Sequence, residues 1–261
     1  MKKIKPFFLS KKVFGYPYVL FMLIFVIMPL VLILVNAFLD TDGYLTLENF
    51  KTFFTEKSSL VVLGNSLLVG LITTVICLLI GYPVAYILSK YSSGKILVLL
   101  FVLPMWVNFL IRTLATKAVF VAMGVELGMG TVIFGMVYNY LPFMILPIYT
   151  TLSKISKPLI EASRDLGCSG FNVFRKVIFP LSIPGVITGI TMVFVPAASV
   201  IVISTRLGGY RLVGDGIESY FKGAGANMNA GSMLSFVLMV IIVICMAIMN
   251  KFDNGEDSAI V

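Results

Sequence analysis

Long apolar runs alternate with short polar spacers along the chain, and the lengths of those runs predict helices that cross a bilayer. Predominantly apolar stretches cover Val13 to Phe38, Leu60 to Leu88, Ile96 to Phe120, Thr131 to Leu152, Ile183 to Ser204 and Gly231 to Met249. Each is near or above the roughly 20 residues that a helix needs to cross hydrocarbon. A helix also satisfies its own backbone polar groups, which lipid cannot do. The pattern therefore predicts an all-α integral membrane protein with six transmembrane helices in a single domain over residues 1–261, without linker, low-complexity tract or internal repeat. Composition agrees: 59% of residues are hydrophobic and 12% charged, against about 45–50% and about 25% in soluble domains.

One segment, 153–182, breaks the pattern, and within it Glu161 to Pro180 reads EASRDLGCSGFNVFRKVIFP. Its charges exclude it from the hydrocarbon. Ser156 can cap a helix with Pro158 in its first turn, Glu161 sits early enough to complement the helix dipole, and Gly167 suits a left-handed stop. Leu159, Ala162 and Leu166 then share one face. A second helix from Gly170 places Phe171, Phe174 and Ile178 together, with Arg175 and Lys176 displaced, until Pro180 ends it. The expected product is a helix–turn–helix with an exposed apolar patch, which on a membrane protein is a docking surface.

The basic residues set the orientation. Lys2, Lys3, Lys5, Lys11, Lys12, Lys90, Lys95, Lys154, Lys157, Arg164, Arg175, Lys176 and Lys251 all fall on one side if the spans are as assigned. These are thirteen of the 20 basic residues, so the positive-inside bias places both termini and the polar segment in the cytoplasm. The start resembles a secretory signal, but Val13 to Phe38 is too long for a signal core and no small-x-small triplet precedes Leu39 and Asp40, so an uncleaved anchor is expected. The net charge of +8 does not point to nucleic acid, because no aromatic-interleaved basic stripe exists. His is absent, which removes imidazole from any metal site or proton relay. Cys77, Cys168 and Cys245 share no metal or disulfide spacing.

Outside the membrane, TLENFKTFF opens on an N-cap candidate and spaces Leu47, Phe50 and Phe54 on one helical face, as for a helix lying on the outer surface. The Gly-rich connection from Thr205 to Gly231 lacks a Walker pattern, and turns with a re-entrant segment are expected there. The short acidic tail after Lys251 is expected to fray.

Pro29, Pro104, Pro142 with Pro147, and Pro196 interrupt four spans. Broken helices in lipid turn toward a bundle interior or cavity, so a translocation path is expected near them, a packing kink being the bland alternative. Gly185 and Gly189 form a small-xxx-small pair for close helix contact. Trp106, Asn108, Arg112, Tyr138, Asn139 and Tyr140 are the polar and aromatic groups near the breaks. Arg112 either lines the path or snorkels outward as an anchor. Asp215 and Glu218 either attract a cation or are solvated surface charges. A membrane enzyme built on Arg206, Asp215 and Glu218 lacks a nucleophile–base pair and any metal-ligand spacing. A self-sufficient secondary transporter leaves the ordered cytoplasmic segment without a task.

Glu161-Ala162-Ser163, then Gly167, then Val177-Ile178-Phe179-Pro180 resemble the EAA loop of binding-protein-dependent ABC importer permeases. LPMWVNFLIRT, YNYLPFMILPIYTTLSKISKPLIEASRDLG and the region from TRLGG to IESYF are similar to the B-type permeases of spermidine/putrescine importers, over about Phe7 to Lys251. The chain departs from them in a shorter connection between Arg112 and Val137. The resemblance implies the MetI-like permease fold of bacterial cytoplasmic-membrane importers. It implies coupling helices that seat in an ATPase dimer, with Glu161, Ala162, Ser163, Arg164, Asp165, Gly167 and Pro180 as the coupling residues. It further implies a second permease subunit, expected to be a different chain, and an extracytoplasmic polyamine-binding protein. No catalytic residue, metal or cofactor is expected on this chain, with ATP and Mg held by the ATPase. Trp106, Asn108, Tyr138, Asn139, Tyr140, Asp215 and Glu218 are the candidate substrate contacts. Another small organic cation or an amino-acid-like solute is the alternative cargo.

Overall fold

The computed structural model describes residues 15–40, 42–91, 94–222 and 226–257. The basic stretch Lys2 to Lys12 and the first two residues of the expected first span, Val13 and Phe14, lie outside the described residues. In chain order the helices are α1 (Tyr16–Ala37), α2 (Glu48–Thr55), α3 (Lys57–Lys90), α4 (Gly94–Trp106) and α5 (Phe109–Ala122). They continue with α6 (Met129–Leu152), α7 (Lys157–Asp165), α8 (Gly170–Ala198), α9 (Ile203–Leu207), α10 (Val213–Phe221) and α11 (Met228–Asp257). By length and composition α1, α3, α6, α8 and α11 can each cross a membrane, and α4 with α5 supplies a sixth span if the bent pair counts as one.

The centre of the bundle is the packing of α3, α6 and α8. Val69, Cys77 and Ala85 of α3, Met136, Met144 and Ile148 of α6, and Val193 and Ala197 of α8 are fully buried in one cluster. Lipid provides no hydrophobic drive between helices, so backbone proximity and van der Waals contact hold them together. Gly185 and Gly189 supply that proximity: a Cβ at 185 would lie 2.6 Å from the Thr151 hydroxyl, and one at 189 would lie 2.8 Å from the Met144 sulfur. A second cluster gathers Ala37, Phe53, Leu63, Val213, Met233, Leu234 and Leu238 from α1, α2, α3, α10 and α11. Apart from that end α1 is exposed along most of its length, anchored by Phe38 against Phe236 and by the Asn49 amide, which donates to the Leu39 carbonyl at 2.7 Å.

The proline positions behave differently from the sequence expectation. Only Pro104 stands at a break: α4 tightens into a 3-10 turn at Leu103–Trp106, and α5 leaves it at 90°. The expected continuous span Ile96 to Phe120 is therefore two helices. Pro142, Pro147 and Pro196 lie inside α6 and α8 without interrupting them. Pro29 and Pro180 each follow a π-helical turn, Leu23–Ile27 and Phe174–Ile178. A wider turn moves away the carbonyl that a proline ring would otherwise strike, so the helix continues. Pro180 consequently does not end a helix, and the second helix of the polar segment is the first part of α8, which stops at Ala198 rather than at Ser204.

On α2, Leu47, Phe50 and Phe54 are exposed together, with Phe50 and Phe54 in ring contact at 4.7 Å, and Phe53 is the residue buried against the bundle. At the other terminus α11 stays helical to Asp257 instead of fraying after Lys251. The Gly-rich connection folds as α9 and α10, with Ile203, Leu207, Leu212 and Val213 buried against the bundle.

Candidate functional site

The polar segment folds as a capped helix and a sharp turn. Ser156 takes the capping position of α7 with extended backbone, its side chain making no capping bond, and Pro158 lies in the first turn. Gly167 adopts φ +81°. Its N–H donates to the Arg164 carbonyl at 2.8 Å, and the Cys168 N–H donates to the Ser163 carbonyl at 3.2 Å. That bond pair is the Schellman stop, which a glycine makes without steric cost. Ser169 then starts α8 by accepting from the Asn172 N–H at 3.4 Å. Glu161 is the fifth residue of α7, beyond the first turn, so its part is to be an exposed charge rather than a dipole partner.

The two faces of α7 differ. Ile155, Ile160 and Cys168 pack against the central core, and the Ser163 hydroxyl folds back onto the Ile160 carbonyl at 2.7 Å. Leu159, Ala162, Arg164, Asp165 and Leu166 point away from the bundle, Leu166 being 86% exposed, and Phe171 joins them at 71%. An apolar strip edged by Glu161, Arg164 and Asp165 is left without a partner in this chain.

An aromatic group that the sequence reading missed fastens this segment to α3. Phe174 stands 5.4 Å from Tyr86 and 6.1 Å from Tyr82, ring centre to ring centre, and Phe179 lies 6.0 Å from Tyr82. The hydroxyls of Tyr82 and Ser182 are 2.9 Å apart, and the Lys90 ammonium sits 4.0 Å over the Tyr86 ring. Tyr82 and Tyr86 share a face at i, i+4, a signal that was present in the sequence. Phe174 and Phe179 share theirs only because the π-helical turn stretches the spacing to i, i+5. These contacts tie the start of α8 to α3. Pro180, half-buried, sits directly after these contacts.

The path candidates separate into groups. At the α4–α5 break Trp106 is 84% exposed, while the Asn108 side chain accepts from the Leu110 N–H at 2.8 Å and so caps α5. A groove of about 620 Å³ runs beside the break, lined by Val107, Ile111, Arg112, Val119, Phe134 and Tyr138 among others. Arg112 is buried and does not snorkel. Asn139 and Tyr140 turn the other way, into the core: the Asn139 amide donates to the Gly135 carbonyl at 2.8 Å, and the Tyr140 hydroxyl reaches the Pro196 carbonyl at 3.4 Å. Tyr138 is the member of the YNY triplet that faces the groove.

Asp215 and Glu218 each meet partners within the chain. Asp215 is buried and accepts from the Val202 and Leu212 N–H groups at 3.0 and 3.2 Å and from the Ser204 hydroxyl. Glu218 is bonded to Lys222 one turn along α10. Asp40, Glu48 and Glu56, by contrast, line a hollow of about 200 Å³ with Asn49, Tyr220 and Asn227.

Comparison with known proteins fits this geometry. Residues 8–255 match the model of the binding-protein-dependent transport system inner membrane component family. The spermidine/putrescine transport system permease protein PotB of Haemophilus influenzae is 37% identical over 265 residues, covering 90% of this chain and 92% of that protein. Among solved structures, a bacterial ABC transporter that imports the acidic polysaccharide alginate superposes with a TM-score of 0.72 at 12% identity, covering 94% of both chains. The MetNI methionine ABC transporter, in inward-facing conformations, superposes with a TM-score of 0.59 at 19% identity over 77% of this chain and 95% of that one. An all-helical bundle of five to six spans with a capped, outward-facing helix–turn between two of them is the architecture of such permeases, and this chain belongs to the binding-protein-dependent ABC importer permease family.

Proposed function

We propose that this chain is the permease subunit of an ATP-driven importer of polyamines, spermidine or putrescine, in a bacterial cytoplasmic membrane with both termini inside. The observation that carries the coupling half of this reading is the unpartnered strip Leu159, Ala162, Leu166 and Phe171 on α7 and the start of α8, rigidly stopped at Gly167. A separate ATPase dimer would seat α7 through that strip, with Glu161, Arg164 and Asp165 as its polar edge. ATP and Mg would be held there and not on this chain. Closure of the ATPases would push α7, and the ring contacts of Phe174 and Phe179 would pass the motion to α3 and α8. A second permease would complete the path, and an extracytoplasmic binding protein would deliver the cargo.

The polyamine half rests on the similarity to a permease named for spermidine and putrescine. Aromatic faces suit alkylammonium groups, and Trp106, 84% exposed, offers one beside the break, whereas the Tyr138 ring already faces the Arg112 guanidinium. The alternative cargo is another small organic cation or an amino-acid-like solute; the second of these fits the burial of Asp215, whose carboxylate is taken up by the Val202 and Leu212 N–H groups rather than left open for an ammonium group. Uptake of labelled spermidine, putrescine and an unrelated anion by cells expressing the whole complex separates the readings. Saturable, ATP-dependent spermidine or putrescine uptake is the expected result. Uptake that either polyamine fails to compete would overturn the polyamine assignment.

A further inference from the structure

Arg112 is a buried charge with no ion-pair partner among the described residues. It is 9% exposed, and its Nε and Nη1 are buried without a hydrogen-bond partner. The guanidinium carbon lies 6.0 Å from the centre of the Tyr138 ring. Tyr138 is the tenth of 24 residues in α6, about 14 Å from one end of that helix and about 21 Å from the other. Arg112 therefore lies beside the middle of a helix long enough to cross the roughly 30 Å of hydrocarbon. A guanidinium held there needs a counter-ion more than a ring face, because an unpaired charge in a low-dielectric site is strongly disfavoured.

The possible sources of that anion can be ranked by depth and sign. A lipid phosphate stays at the interface and is too shallow. The sequence holds no Asp or Glu between Lys57 and Val125 or between Leu127 and Ile160, and Glu126, in the connection between α5 and α6, is not among the residues that line the groove. Asp215 is taken up by its own backbone contacts. A second copy of this chain would bring another Arg112 to the same face and no carboxylate. A polyamine cargo is itself cationic and would be repelled. What fits is a carboxylate carried by a different membrane chain, reaching in along the groove formed by Val107, Ile111, Val119, Phe134 and Tyr138.

We propose that Arg112, beside the middle of α6, pairs with an Asp or Glu side chain of the second permease subunit. The proposal rests on the importer reading above and adds to it which residue selects the partner. Arg presents a planar fork that grips a carboxylate through two N–H donors, which Lys cannot reproduce.

The test uses the whole complex, purified through a tag on this chain, and reads the amount of second permease recovered. Arg112→Gln and Arg112→Glu are expected to lower that recovery roughly tenfold or more, as for removal of one partner of a buried pair, with Arg112→Lys between them and the wild type. A Lys placed at one membrane-depth carboxylate of the second permease is expected to restore recovery with Arg112→Glu. The amount of tagged chain in the membrane reports folding; if Arg112→Glu is lost from the membrane, the comparison is made with Arg112→Lys and the matching partner substitutions. Full recovery with Arg112→Gln, no restoring substitution at any such carboxylate, or a stable homodimer of this chain on the ATPase would each overturn the pairing. So would competition of uptake by carboxylate-bearing solutes that Arg112→Gln abolishes, since the cargo would then be the anion. Recovery does not depend on cargo: a wild-type complex that assembles but ignores spermidine sinks the polyamine reading and leaves the pairing intact. Absence of any second permease from the wild type overturns both.

Discussion

Asp215 holds Val202 in the left-handed backbone region: its Oδ1 accepts from the Val202 N–H at 3.0 Å, and Val202 has φ +82°. A β-branched residue is an outlier there, at a cost of about 1–3 kcal/mol. The same carboxylate accepts from the Leu212 N–H at the start of α10 and from the Ser204 hydroxyl in α9. Next along the chain, the Val213 N–H donates to the Ser66 hydroxyl of α3 at 2.6 Å. One buried group thus pins the return from α8 and both short helices to the bundle.

Removing that group should loosen the connection without touching the coupling surface. Asp215→Ala leaves several buried donors unsatisfied, each costing about 1–3 kcal/mol, and is expected to lower the melting temperature of the purified complex. Val202→Gly relieves the backbone strain and should raise it by a smaller amount. An Asp215→Ala variant as stable as the wild type would show that the clasp is dispensable.

Hydropathy marks five of the spans because each carries an apolar length long enough to reveal itself without tertiary context, while the run Ile96 to Phe120 hides the 90° bend between α4 and α5. The stop at Gly167 was equally legible, since a left-handed residue after a capped amphipathic turn is a local signal. The π-helical turns before Pro29 and Pro180 were not, because an i→i+5 widening leaves no trace in the apolar pattern. For that reason Pro180 read as a terminator when α8 runs through it. For Asp215 and Arg112 the sequence left two readings open for a different reason: a lone charge beside Gly or Leu reads alike whether it is solvated or buried, and only its contacts distinguish the two.

The exposed strip on α7 yields a prediction about assembly. Leu166→Asp puts a charge where an apolar contact is expected, at a residue that supports nothing within this chain. It should cut recovery of the ATPase with the permease while the chain still accumulates in the membrane. Gly167→Val acts through the backbone instead, since a left-handed β-branched residue costs about 1–2 kcal/mol, and should tilt α7 and reduce uptake per ATP hydrolysed. Charge reversal by Glu161→Lys is expected to do the same. Unchanged uptake and ATPase activity in all three would exclude this strip as the coupling surface.

The ring group around Phe174 makes a separate prediction, about transmission rather than docking. Phe174→Ala removes contacts with Tyr82, Tyr86 and Phe179 but leaves the surface of α7 as it is. The ATPase should still bind and hydrolyse ATP, yet uptake should fall, because α7 no longer moves α3. Tyr82→Phe loses only the hydroxyl contact with Ser182 and should give a milder defect of the same kind. Parallel loss of ATP hydrolysis and uptake in Phe174→Ala would mean that docking, not transmission, was damaged.

At the α4–α5 break, neighbouring residues should fail in different ways. Trp106 is 84% exposed, so Trp106→Ala should leave the melting temperature unchanged. If its ring meets the ammonium groups of the cargo, the loss is on the order of 0.5–2 kcal/mol of cation–π attraction. That corresponds to a rise of about twofold to thirtyfold in the spermidine concentration for half-maximal uptake. Asn108 holds the first turn of α5 through the Leu110 N–H, and Asn108→Ala should lower stability by about 1 kcal/mol, with Asn108→Asp keeping the cap. Because that turn carries Arg112, a frayed cap should also reduce recovery of the second permease, which Trp106→Ala should not. Uptake kinetics, melting and co-purification on these three variants therefore separate a cargo contact from a structural one, and a Trp106→Ala complex with wild-type half-saturation would remove Trp106 from the path.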